Sequence, residues 1–170
     1  MSSRVPTPSQ TVGPFFSIGL SDRRLDELVP AGTGESIRVE GRVLDGADEP
    51  VVDAMVEIWQ ADQGGEYGPG FGWGRSGTDD EGRFGFLTVK PGSVDGQAPH
   101  LLVLVFARGL LRPVLTRMYF PDEADANEAD TVLDTVPGEQ RATLVAAADG
   151  DVLRFDVRLQ GDDQTAFFDL

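Results

Sequence analysis

The chain has no cysteine and a single histidine, His100. The first absence excludes thiolate nucleophiles, structural Cys–zinc sites and thiolate-held iron–sulfur clusters within this chain. The second excludes a facial site of two histidines and one carboxylate built by this chain alone. Basic residues are scarce as well: 14 Lys and Arg stand against 29 Asp and Glu, for a net charge of −15. Such a surface repels phosphate backbones and anionic lipid, so neither nucleic acid nor membrane is expected as a partner, and the acidity reads as solubility. No stretch approaches a membrane span, and the opening MSSRVPTPSQTVGPFF lacks the apolar centre of a secretion signal. A soluble, cytoplasmic protein is expected.

Three familiar motifs are also missing. The glycine-rich run from Gly68 to Gly74 carries Trp73 where a dinucleotide-binding G-x-G-x-x-G needs glycine, and no helix follows it, so it reads as a loop. Asp79, Asp80 and Glu81 lack the spacing of a calcium loop and read as a turn. A serine triad has its histidine but no G-x-S-x-G elbow.

What remains is a chain of 170 residues and 18.3 kDa, enough for one domain with a real core. Its first 20 residues form an arm. Pro6, Pro8 and Pro14 keep the arm out of helix interiors and central strands, while Phe15, Phe16 and Ile18 are too apolar to leave in water. An extended segment packed on this domain or on a partner is therefore expected. Residues 21–35 read as a charged connector with one helical turn around Leu25 and Leu28.

From Ser36 the pattern has period two, with Ile37, Val39 and Val43 alternating with Arg38, Glu40 and Arg42. Further strands are expected over 51–60, 83–88, 101–106, 114–120, 143–148 and 152–159. Asp149 and Gly150 form the turn of a last hairpin. One helical patch is expected over 121–137, opened by Pro121 and closed by Pro137. Several short strands with one minor helix predict an all-β fold, an antiparallel β-sandwich over residues 21–170 behind the arm.

The segment KPGSVDGQAPHLLVLVFAR, residues 90–108, concentrates the chemistry. A loop through Ser93 and Val94 delivers His100 to the mouth of an unbroken apolar run, residues 101–107. Loops ending on buried strands are where scaffolds present reactive groups. Tyr67, in a loop, and Tyr119, in the strand VLTRMYF, are the other distinctive donors. The residues alone leave two readings open, a hydrogen-bonded structural histidine, which is the commoner case, and half of a metal site.

Six strings together carry a resemblance: TPSQTVGPFFSIGL at 7–20, VEIWQADQGGEY at 56–67, TVKPG at 88–92, APHLLVLVFARG at 98–109, TRMYFPDEA at 116–124, and RFDVRLQG with TAFFDL at the end. In this order they resemble the intradiol ring-cleavage dioxygenases, and among those the alpha-type chains that work beside an iron-bearing beta chain. The family holds ferric iron with two tyrosines and two histidines, since phenolate is a hard anionic donor that favours Fe(III). Carried over position by position, the first tyrosine falls on Tyr67 and the first histidine on His100. The second tyrosine falls on Val94 and the second histidine on Leu102, neither of which can coordinate a metal.

The resemblance thus implies an oxidoreductase subunit with no metal of its own and no catalytic residue in this chain alone, inactive without its partner. Fe(III) would sit in a homologous beta chain within a hetero-oligomer, and protocatechuate and O2 would meet at a shared pocket. Thr11, Gly13, Pro14 and Arg108 match positions lining that pocket, Arg108 as a holder of the substrate carboxylate, with a surface or interface ion pair as the other reading of that arginine. An alternative stands beside it. GRVLDGADEPVVDAMVEI and TDDEGRFGFLTVKPG also resemble prealbumin-like and peptidase-regulatory β-sandwich modules, which bind without catalysing. Those modules leave TPSQTVGPFF, FARG and the FFDL ending unexplained.

Overall fold

The computed structural model describes residues 6–13, 15–20 and 25–169. Its strands run β1 (Ser36–Leu44), β2 (Met55–Trp59), β3 (Trp73–Gly77), β4 (Arg83–Val89), β5 (His100–Phe106), β6 (Val114–Tyr119), β7 (Ala147–Asp149), β8 (Val152–Arg154) and β9 (Val157–Arg158). They form two sheets, one ordered β4-β1-β8-β7 with β9 also paired to β1, the other ordered β3-β2-β5-β6. This is the expected all-β sandwich, with one difference in sense. β1 runs antiparallel to β4 but parallel to β8 and β9, because the chain reaches them by a long return rather than a hairpin.

Period-two patterning explains the packing. Val39 and Val43 of β1, Phe84 and Phe86 of β4, and Phe155 and Val157 point inward from one sheet. Val56 and Ile58 of β2, Leu101, Val103 and Val105 of β5, and Met118 of β6 meet them from the other. Each such side chain, removed from water, contributes about 1.5–3 kcal/mol. A polar tie joins the sheets where β2 and β4 end: buried Gln60 donates Nε2 to Val89 O at 2.9 Å and accepts Thr88 Oγ1 at 2.6 Å.

Several local expectations need correction. The glycine-rich run is not all loop, since Trp73 to Gly77 pairs with β2 as an edge strand. No helical turn forms at Leu25 and Leu28; Leu25 and Glu27 instead bridge to Arg75 and Leu87, lying extended over the sandwich. The expected strand over 51–60 starts only at Met55, and that over 143–148 gives way to a 3-10 turn at Arg141–Leu144. The patch 121–137 splits into α2 (Ala124–Ala129) and a 3-10 turn at Leu133–Thr135. The arm carries a short helix, α1 (Phe15–Leu20), beyond its extended residues. None of the described helices is long and apolar enough to cross a membrane.

Candidate functional site

Two clusters of singled-out residues occupy the opposite ends of β5, on its side away from the core. His100, Leu102, Leu104 and Phe106 share this outer face, because the neighbours Leu101, Val103 and Val105 are the buried set. Seven strand residues at about 3.3 Å each separate the two ends by ~20 Å.

At the N-terminal end of β5 stands His100, 5% exposed. Its Nδ1 lies 2.7 Å from Ala98 O. A carbonyl can only accept, so Nδ1 carries the proton and Nε2 the lone pair. The Tyr119 ring, opposite His100 in the β5–β6 register, tilts against the imidazole with centroids 5.8 Å apart. Burial, with the Arg117 charge beside it, pushes the His100 pKa below its ordinary value. Asp130 braces this end. Its fully buried carboxylate accepts Ala98 N, Val132 N and Leu133 N, each at 2.8 Å, and the Tyr119 hydroxyl at 3.3 Å.

Tyr67 and Val94 reach this end through two interlocked loops. Asp62 O accepts Gly92 N at 2.8 Å, and a Cβ on Gly65 would come within 2.0 Å of Ser93 O, so only glycine permits the contact. Val94 and Gln97 pair across Asp95 and Gly96, both at positive φ, as a tight two-residue hairpin requires. Tyr67 is half exposed, and its phenol pKa is raised by partial burial, against the opposing pull of Arg117.

Arg117 completes the cluster, and no sequence pattern pointed to it. It sits opposite Leu102 in the register, and its Nη1 donates to Gln97 Oε1 at 2.8 Å and to Tyr119 OH at 3.3 Å. The apolar run expected after His100 is therefore only part of its surroundings: a cation, a phenol and a carboxylate network lie beside it. This donor set does not suit ferric iron. Of the four positions that the resemblance matches to ligands, Val94 and Leu102 offer no lone pair, and the Arg117 guanidinium lies opposite Leu102. Among the described residues no group of three or more His, Cys, Asp or Glu side chains is placed to hold a metal.

At the other end of β5, the arm docks on the turn that follows the strand. Gly109 N donates to Thr11 Oγ1 at 2.8 Å, and Thr11 Oγ1 donates to Ala107 O at 3.4 Å. Gln10 and Val12 close a cleft of about 80 Å³ against the segment 106–113. Arg108 projects between these contacts, 65% exposed, with Nε held 3.0 Å from Oδ2 of the mostly buried Asp53. Gly13 adopts a positive φ of 70°, while Pro14 lies outside the described residues. The structure thus brings Thr11 and Arg108 together and keeps both far from Tyr67 and His100. Asp53 was missed by sequence reasoning, since one aspartate in a turn before a strand carries no signal. Apolar side chains crowd the arm and the turn it meets: Val12, Phe15, Ile18 and Leu111 are all exposed.

Known proteins resemble the chain over most of its length. The profile of a family described as Dioxygenase matches residues 13–161. The protocatechuate 3,4-dioxygenase alpha chain of Burkholderia cepacia is 43% identical, with 100% of both chains covered. The protocatechuate 3,4-dioxygenase beta chain of the same organism is 35% identical over 78% of this chain and 67% of that one. Among solved structures, the dioxygenase domain of a dioxygenase–carbohydrate-binding protein fusion from Streptomyces sp. SirexAA-E is 32% identical. It superposes with a TM-score of 0.66, covering 92% of this chain and 99% of that one.

Proposed function

The chain belongs to the intradiol ring-cleavage dioxygenase family, whose chemistry uses ferric iron, and on that premise we propose that it is the iron-free alpha subunit of a protocatechuate 3,4-dioxygenase. Its partner is a homologous beta chain that holds the Fe(III). The assembled enzyme joins O2 to protocatechuate and opens the ring between the two hydroxyl-bearing carbons, giving 3-carboxy-cis,cis-muconate. Both oxygen atoms enter the product, so no external reductant is consumed. A cytoplasmic setting is part of the same proposal.

The observation that carries the reading is full-length similarity to an alpha chain combined with aliphatic side chains at Val94 and Leu102. Geometry supports the role given to the arm. Thr11, Gly13, Pro14 and Arg108 form this chain's contribution to the partner's pocket. The Arg108 side chain is largely exposed, with Nε braced by Asp53. A guanidinium held by one edge is suited to receive a carboxylate on the other. The exposed Val12, Phe15, Ile18 and Leu111 supply apolar area for the same contact.

The test is co-expression with an iron-bearing beta chain, followed by oxygen uptake. Arg108→Ala is expected to raise KM for protocatechuate about tenfold, the value of one charge-assisted contact at a partly solvated site, while KM for catechol changes little. Equal losses with both substrates would remove Arg108 from the pocket. Oxygen uptake by this chain without its partner would overturn the assignment as a whole.

A further inference from the structure

The arginine at the metal-like end of β5 is placed more specifically than a surface cation needs to be. Arg117 is directly opposite Leu102 on the outer face of the β5–β6 pair. Its Nη1 reaches Gln97, which is itself paired to Val94, and Tyr119, whose ring packs on His100. The guanidinium is thereby one neighbour removed from Val94, Leu102 and His100, and its charge acts on the phenol of Tyr67 as well. Three of the four positions that the resemblance matches to ligands, Val94, Leu102 and His100, thus lie directly opposite or one neighbour from a single positive charge. Arginine is suited to such a post, since it keeps its proton at any ordinary pH and directs several donors in a rigid plane.

We infer that the Arg117 guanidinium is the resident cation of this pocket, taking the place of the metal ion and excluding it. The inference rests on the reading of the chain as an iron-free subunit, and adds a second cause to the missing donors. A trivalent ion entering here would meet a like charge that cannot be neutralised by losing a proton. Arg117 also occupies the side-chain oxygens of Gln97 and Tyr119, which are then not free to serve a metal ion. Restoring a phenol and an imidazole at positions 94 and 102 therefore does not rebuild an iron site while Arg117 stays.

The experiment uses the co-expressed complex and counts iron per pair of chains, by metal analysis and by the tyrosinate-to-ferric charge-transfer absorption. Val94→Tyr with Leu102→His is made with Arg117 retained, and again with Arg117→Gln or Arg117→Met. Glutamine keeps a donor for Gln97 and Tyr119, so it guards against a variant lost to misfolding. The complex with Arg117 retained is expected to stay at one iron per pair. Removing the charge should move it towards two, with ferric affinity at the second site at least tenfold higher. Equal iron with and without Arg117, both sites filled or both empty, overturns the inference and leaves the proposed function standing. Iron on the unaltered chain would bring down both.

Discussion

The two ends of β5 present the same kinds of side chain in opposite states. At the His100 end the polar groups satisfy one another: Asp130 holds Ala98, Ala98 holds His100, Tyr119 packs on the imidazole, and Arg117 is occupied by Gln97 and Tyr119. At the Phe106 end the groups face outward. Arg108 is largely exposed and pairs with Asp53, and Val12, Phe15, Ile18 and Leu111 lie in solvent. Buried polar groups with all their partners stabilise one conformation, whereas a charge with spare donors beside exposed apolar area is suited to another molecule. The difference suits architecture at the His100 end and is what the proposed association at the Arg108 end requires, within one strand.

Substitutions at Asp130 test the first half most severely. Asp130→Ala strips the acceptor from three backbone N–H groups, two of them buried, and should cost about 3–5 kcal/mol of stability by urea unfolding. Where the variant still assembles, KM for protocatechuate should be unchanged. A variant of normal stability with an altered KM would erase the distinction between the ends.

The His100 end also predicts a pH response. The folded-state pKa lies below the ordinary value of 6.5, chiefly through burial. On acidification the unfolded chain therefore takes up the proton first. The stability is fully present above pH 6.5 and is lost as the pH falls from there towards the folded value, with a slope of at most about 1.4 kcal/mol per pH unit. The difference between the wild-type and His100→Gln stability curves isolates this slope from that of the carboxylates. A difference that is flat between pH 7 and 5 would mean the imidazole is not desolvated.

At the opposite end, Asp53→Ala should leave stability within about 1 kcal/mol, because the Arg108 partner is largely exposed. KM for protocatechuate should rise some three- to tenfold, about 0.7–1.4 kcal/mol. Asp53→Asn keeps an acceptor oxygen for Nε and should recover most of the loss. Failure of asparagine to do better than alanine would mean that Asp53 acts by charge rather than by orientation.

The sandwich was legible because period-two alternation is imposed residue by residue: Val39 and Val43, or Leu101, Val103 and Val105, announce their face without help from distant sequence. The Asp149–Gly150 hairpin was legible for the same local reason. What sequence could not show depends on pairing across the chain. Trp73 to Gly77 contains three small residues and forms a strand only because β2 offers it an edge. Leu25 and Leu28 have helical spacing, yet the sheet beneath supplies better partners for their backbone. In the candidate site, His100 and Tyr67 stood out by residue type, and Val94 and Leu102 were matched to ligand positions by resemblance. Arg117, Gln97, Asp130 and Asp53 were not, since a lone Arg, Gln or Asp acquires meaning only from the residue opposite it.

The smallest expected effect concerns Thr11, and it separates two ways in which the arm could matter. Its hydroxyl accepts Gly109 N and donates to Ala107 O, bracketing the backbone on both sides of Arg108. Both known bonds of the side chain are thus made within its own chain. Thr11→Val preserves shape and removes the bracket. Gly109 N–H is exposed and can turn to water, so the loss is about 0.5 kcal/mol, roughly a twofold rise in KM for protocatechuate. The same change should have almost no effect in an Arg108→Ala background, because a bracket around an absent guanidinium holds nothing. Additive effects in that double-mutant cycle would instead place the Thr11 hydroxyl on the substrate itself, as a contact independent of Arg108.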